Sequence, residues 1–262
     1  MNPKITIDSL ILEITRKCNM KCRHCLRGNC QNKNITKELM EKVLSQIDSI
    51  HCVVFGGGEP TLNLDAIQDF IEIANIYDVE VGNFYIVTNG KVFKQRLIDL
   101  CEELWNFCFD NEISGLAISD DLFHREWRNE EKFKLNKSRY LYDEEYDEFR
   151  PYVCFHKEVS DSMAYEGLIK MGRADENCIA NRNKSVYLPY VDQQEFEEET
   201  YMNVLDGELY ISYDGRIFPD CDLSYKIIDS NKFLLGNINN ESLLEIIKRL
   251  PKEHEERRNL NA

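Results

Sequence analysis

Four short apolar runs, each followed by helical periodicity, constrain this chain more than any other feature. They are Leu10-Ile11-Leu12-Glu13-Ile14, His51-Cys52-Val53-Val54-Phe55, Phe84-Tyr85-Ile86-Val87 and Leu116-Ala117-Ile118. Strands that are nearly continuous in apolar residues are buried on both faces, the habit of a parallel sheet, and the helices between them supply right-handed crossovers. After the first run, Thr36 suits a helix N-cap, and Leu39, Val43, Ile47 and Ile50 recur at helical spacing. A second helix places Ile67, Phe70, Ile71, Ala74 and Tyr77 on one face, and a third carries Phe93, Leu97, Leu100, Cys101 and Leu104. In such sheets ligands bind at the carboxyl ends of the strands. Every unusual motif of this sequence falls at one of those ends.

The first is Cys18-Asn19-Met20-Lys21-Cys22-Arg23-His24-Cys25, directly after the first strand. Clustered thiolates favour zinc or an iron–sulfur cluster, and three ligands in place of four suggest a position kept open for chemistry. Gly56-Gly57-Gly58-Glu59-Pro60 ends the second strand. Glycines there let backbone approach closely, and a carboxylate can accept from an ammonium group. Thr88-Asn89-Gly90 ends the third strand and Ser119-Asp120-Asp121 the fourth.

The C-x3-C-x2-C triplet resembles the signature of the radical SAM superfamily, with His24 in the place before the last cysteine that is often aromatic. The resemblance implies that Cys18, Cys22 and Cys25 hold three irons of one [4Fe–4S] cluster, the fourth iron being chelated by S-adenosylmethionine. One electron then cleaves the sulfonium C–S bond to a 5′-deoxyadenosyl radical that abstracts hydrogen from a substrate. Gly57, Gly58 and Glu59 match the family's Gly-Gly-Glu segment, which binds the methionine amino group. By the same match Asn89, Ser119, Asp121 and Arg173, the last in Gly172-Arg173-Ala174 near the expected fifth strand, are cofactor-binding candidates. His124 could face the same cleft. The implied fold is α/β, a partial parallel (β/α)6 barrel.

The net charge of −15 argues against a nucleic-acid partner held through phosphates, and against anionic membranes. The first eight residues lack the basic-then-apolar layout of a signal peptide, and no apolar run approaches the ~20 residues that span a bilayer. A cytoplasmic, reducing location is expected, in which the ten cysteines are ligands, reactive groups or small buried hydrophobes. Cys52, Cys101 and Cys108 suit packing. Cys30 lies outside the family spacing and is expected not to be a ligand. Cys154, Cys178 and Cys221 are candidate hydrogen donors on the substrate side, with burial as the alternative.

Residues 122–162 are charged and aromatic and read as mostly helix. The acidic stretch 192–200 reads as a solvated loop or helix face. Leu209 to Phe218 is a hairpin signal with Asp214-Gly215 at the turn, and Leu243, Leu244, Ile247 and Leu250 mark a last amphipathic helix. This part resembles the start of the SPASM or twitch extension of peptide-modifying family members. It lacks their auxiliary-cluster cysteines, since none follows Cys221. The expected division is a core over 8–190, a degenerate extension over 191–250 and a charged, frayed tail over 251–262.

The resemblance implies a flavodoxin- or ferredoxin-type reductant and, as substrate, a ribosomally made peptide. With the first strand near residue 10 there is no room for an N-terminal leader-binding domain, so a separate recognition protein is one expectation. A small metabolite is the alternative substrate, and a non-catalytic Fe–S or zinc module the alternative class.

Overall fold

A computed structural model describes residues 3–110, 114–143, 146–155, 168–196, 198–252, 254 and 259–261. The first half alternates as the apolar runs predict: β1 (Lys4–Thr15), α1 (Lys37–Leu44), β2 (Ser49–Gly57), α2 (Asp65–Ile76), β3 (Glu80–Thr88), α3 (Gln95–Phe107) and β4 (Gly115–Ile118). Then come α4 (Leu122–Arg125), α5 (Glu130–Leu141), β5 (Tyr142–Asp143), β6 (Glu148–Phe149) and β7 (Val153–Phe155). The last part holds α6 (Gly172–Glu176), β8 (Ser185–Tyr187), β9 (Tyr190–Phe196), β10 (Glu199–Ile211), β11 (Arg216–Phe218), α7 (Tyr225–Asp229), β12 (Gly236–Asn237), α8 (Leu243–Ile247) and β13 (Asn259–Asn261).

The main sheet runs β12-β11-β10-β1-β2-β3-β4-β7, with β9 paired to β10. The six strands from β10 to β7 are mutually parallel, which makes an open α/β barrel with no closure among the described residues. β1 therefore lies inside the sheet, flanked by β2 on one edge and β10 on the other. Its residues alternate between two cores: Leu10, Leu12 and Ile14 pack under the helices, while Ile11 packs with Tyr210, Phe218, Leu223 and Tyr225 on the inner face. Leu12 is fully buried, so Leu12→Ala is expected to cost about 2–5 kcal/mol.

Local chemistry sets the helix starts that position the site. Thr36 Oγ1 accepts from Leu39 N at 3.2 Å, the N-cap expected from the sequence. Asp121 caps α4, and Asn129 caps α5 through Lys132 N at 2.8 Å, with Glu130 and Glu131 in the first turn. Ser242 and Glu245 form a capping box on α8.

Several expectations are corrected. α1 ends at Leu44, so Ile47 and Ile50 lie beyond it, Ile50 within β2; Phe93 precedes α3. The fifth parallel strand is β7, not the segment around Gly172-Arg173-Ala174, which opens α6. Cys154 pairs with Ala117 through its backbone in β7, and its side chain lies outside the described residues. Beyond β7, the only trace of a further parallel strand among the described residues is a single bridge between Ile169 and Arg182. The sixth parallel strand is β10, supplied from the C-terminal part and added on the other edge. The 122–162 segment is helical only to Leu141 and then turns into β5, β6 and β7; residues 156–162 lie outside the described residues. The acidic 192–200 stretch is neither loop nor helix but the hairpin of β9 and β10, its outer residues exposed. The tail forms β13, antiparallel to β8, where fraying was expected. The Asp214-Gly215 hairpin is as predicted, with Gly215 at φ +85°. Among the described residues no helix is long and apolar enough to cross a membrane.

Candidate active site

The loop after β1 carries the three thiols, and the end of β2 fixes its base. Gly58 N donates to Thr15 O at 2.7 Å and Glu59 N to Lys17 O at 2.8 Å. A Cβ on Gly57, which sits at φ +125°, would stand 2.0 Å from Thr15 O; one on Gly58 would stand 2.1 Å from Lys17 O. These two glycines are therefore demanded by chain against chain, a reason the sequence reading, which had a ligand in mind, did not give. Gly56 meets nothing nearer than 3.4 Å.

Glu59 is 2% exposed and its carboxylate is almost surrounded by donors. Oε1 accepts from Thr61 Oγ1 and Thr88 Oγ1, both at 2.7 Å, and from Thr61 N at 3.3 Å, while Oε2 accepts from Asn89 N at 2.9 Å. The ends of β2 and β3 are thus locked to one carboxylate. Asn89 Nδ2 donates to Asn19 Oδ1 at 2.8 Å, and Lys91 Nζ to Asn19 O at 3.0 Å, so the end of β3 also grips the cysteine loop.

From the end of β4, Ser119 reaches the same space, while Asp120 is buried between Arg128 and Lys137. Asp121 does not line the cavity. Its Oδ1 caps α4 through Phe123 N and His124 N, and its Oδ2 lies 2.7 Å from His124 Nδ1. Burial opposes its charge, but the hydrogen bond and charge of His124, and then His24, hold the carboxyl well below the usual range. His24 stacks on Phe123 at 4.6 Å and meets His124 edge-on at 5.1 Å. Burial, with His124 beside it, pulls His24 down to about 4.

Arg173 closes the ring from α6. Its Nε donates to Cys22 O and its backbone N–H to Cys25 O, both at 2.9 Å, and Gly172 at φ +52° lets α6 sit against Leu26 O. On the inner side Arg16, fully buried, bonds Glu13 at 2.9 Å and Asp229 at 2.7 Å, tying the cysteine loop to the C-terminal segment.

These elements enclose a cavity of about 480 Å³. Cys18, Cys22 and Cys25 line it, as do Gly57, Gly58 and Glu59; Asn89, Ser119, His124 and Arg173 complete the predicted residues found there. Burial pushes the Cys18 thiol up to about 11 and the Cys22 thiol to about 12. Cys30 and Cys178 are exposed and Cys221 is half-buried, and none of the three lines the cavity. Sequence reasoning missed Asn19, Lys91 and Arg27. Asn19 and Lys91 stand next to motifs and were readable as neighbours. Arg27, an Arg between Leu26 and Gly28 two residues past the last thiol, carried no signal beyond that position.

Residues 12–135 match the model of the Radical SAM superfamily. These residues, a little under half of the chain, carry a domain similar to that superfamily's. An uncharacterized protein of Methanocaldococcus jannaschii is 28% identical over 138 residues, 51% of this chain and 47% of that protein, so the chain spans about half the length of the curated relative it matches. The fold is similar to that of native anSMEcpe with bound AdoMet and Cp18Cys peptide: TM-score 0.57, 13% identity, 93% of this chain and 80% of the other. The same protein with Kp18Cys peptide gives 0.52 at 14% identity, over 95% and 82% of the two chains. The family implies a [4Fe–4S] cluster, and the donor set here fits one: all-sulfur, three thiols on one wall, and no fourth cysteine among the residues lining the cavity.

Proposed function

We propose that the chain cleaves S-adenosylmethionine reductively and uses the resulting radical to abstract hydrogen from a peptide. The observation that carries this reading is convergence: three thiols and the buried Glu59 meet in one cavity at the strands' carboxyl ends. When bound, a three-thiolate [4Fe–4S] cluster supplies the single electron that breaks the cofactor's C–S bond to give a 5′-deoxyadenosyl radical.

Cys18, Cys22 and Cys25 would hold the cluster. Asn89, Lys91 and Arg173 hold their loop in shape through Asn19, Cys22 and Cys25. Glu59 Oε2, with one backbone donor, retains capacity to accept from the cofactor's ammonium group. Ser119 and Asn89 offer polar contacts from the neighbouring strand ends. Val54, Phe55, Leu168 and Ile169 supply an apolar wall that keeps water from a reactive carbon radical. Residues 8–190 would form this core, and 191–250 complete its wall on the β10 side. The electron would come from a flavodoxin- or ferredoxin-type protein. The peptide assignment draws on the fold shared with anSMEcpe, whose structure holds a peptide beside AdoMet.

Anaerobic reconstitution with iron and sulfide, followed by dithionite and S-adenosylmethionine, tests the reaction. About four irons per chain and release of 5′-deoxyadenosine are expected. A tetrahedral zinc with no cofactor cleavage would overturn it.

A further inference from the structure

Arg27 is the charge in this cavity that the proposed reaction leaves without a task. It borders the cofactor cavity and also a second cavity of about 520 Å³ between 170–176 and 224–230. Its guanidinium lies 4.9 Å from the centre of the Tyr210 ring, and NH1 donates to Leu223 O at 2.9 Å. No carboxylate within ion-pair distance serves it among the described residues. Arg16, equally close to the cysteine loop, has Glu13 and Asp229, and Arg128 has Asp120 and Glu130. Cations withdrawn from water are normally paired, because an uncompensated one is costly. Tyr210, whose ring the guanidinium faces, and Tyr225, whose backbone N–H donates to Arg27 O at 3.0 Å, both bury their hydroxyls; that of Tyr225 has no hydrogen-bond partner among the described residues, and that of Tyr210 has only Glu13 nearby. Burial opposes the charge on Arg27, but Tyr210 and Tyr225, then Cys221 and Glu13, hold it protonated.

We infer that Arg27 receives a carboxylate of the substrate, so that the cavity takes an anionic group on the β10 side, opposite the Glu59 and Ser119 side. This deepens the reading of the reaction above and rests on it for the word substrate. A guanidinium whose Nε and NH2 edge carries no hydrogen bond among the described residues is the group best matched to a carboxylate, through two parallel hydrogen bonds. The carboxylate could belong to an acidic side chain or to the end of a chain, and the chemistry of recognition is the same.

The test needs neither cluster nor turnover. Three neutral-backbone probes are titrated by ligand-observed NMR against the full chain: N-acetylglutamate α-amide, with only a side-chain carboxylate; N-acetylglutamine, with only a terminal one; and N-acetylglutamine amide, with none. At least one carboxylate probe is expected to bind about tenfold or more tightly than the neutral one, and which one binds identifies the source. Arg27→Gln removes that preference, and Arg27→Lys, which keeps the charge and the packing stem, retains part of it. Equal binding of the three probes, no binding, or a preference lost in Arg173→Gln but kept in Arg27→Gln overturns the inference. Carboxylate binding that persists in a protein releasing no 5′-deoxyadenosine would remove the reaction and leave the anion site standing.

Discussion

Arg173 holds both ends of the Cys22–Cys25 turn, its Nε donating to Cys22 O and its backbone N–H to Cys25 O. A residue from α6 thereby shapes the turn that holds two of the loop's three thiols. Arg173→Ala is expected to lower iron retained after reconstitution and desalting, with a thermal midpoint a few degrees lower, since a charge-assisted hydrogen bond is worth about 1.5–3 kcal/mol. If Arg173 served the cofactor's carboxylate alone, iron would be unchanged and only the KM for S-adenosylmethionine would rise.

The glycines at the end of β2 separate by position. Gly57→Ala and Gly58→Ala force a Cβ to 2.0 and 2.1 Å from backbone oxygens, so each is expected to destabilise by more than about 3 kcal/mol or to give no soluble protein. Gly56→Ala, with 3.4 Å of room, is expected to fold nearly normally. Denaturant midpoints of the three variants check the order.

Glu59→Gln turns an acceptor-only group into one with an amide donor facing Thr61, Thr88 and Asn89. A loss of about 1–3 kcal/mol is expected from the buried mispairing. Thr88→Val should lose less, and the two should be non-additive because they share a bond of 2.7 Å. Urea titration of the two single variants and the double variant measures the coupling.

Asp121 gives a pH signature. Its folded carboxyl titrates below the ordinary range, so its contribution is present above the unfolded value of about 3.9 and fades as acid approaches the folded value. Asp121→Asn should therefore be less stable than the parent at neutral pH. The gap should narrow as pH falls below 4 while the parent loses the advantage. Denaturant unfolding at pH 7 and pH 3.5 reads the difference; a constant gap would refute the assignment.

What was legible in the sequence was local. Thr36 announced α1, the apolar runs announced β1 to β4, and the motifs at their ends proved to share one cavity. Pairings between distant segments left no such mark. β10 joins β1 through residues near 200 against residues near 4, and nothing in either run names the other. β9 escaped notice because its outer half is exposed on both faces, so no period of two survives in Gln193-Gln194-Glu195-Phe196. Nothing in the sequence sets Arg16 and Arg27 apart from other cations; the fold shows one buried against Glu13 and the other bordering two cavities with no ion-pair partner among the described residues.

The interior position of β1 has a temporal corollary. Its second edge stays open until the ribosome has released the stretch around residue 200, because the strand that covers it is made that late. Joining ends so far apart is slow compared with building the neighbouring crossovers. The thiol-bearing segment is consequently clamped, through Arg16 and Asp229, only once the segment that carries Asp229 has also been made. Metal delivery to a shorter nascent chain would meet an unfinished cradle, so maturation of the centre waits for the segment that carries Asp229.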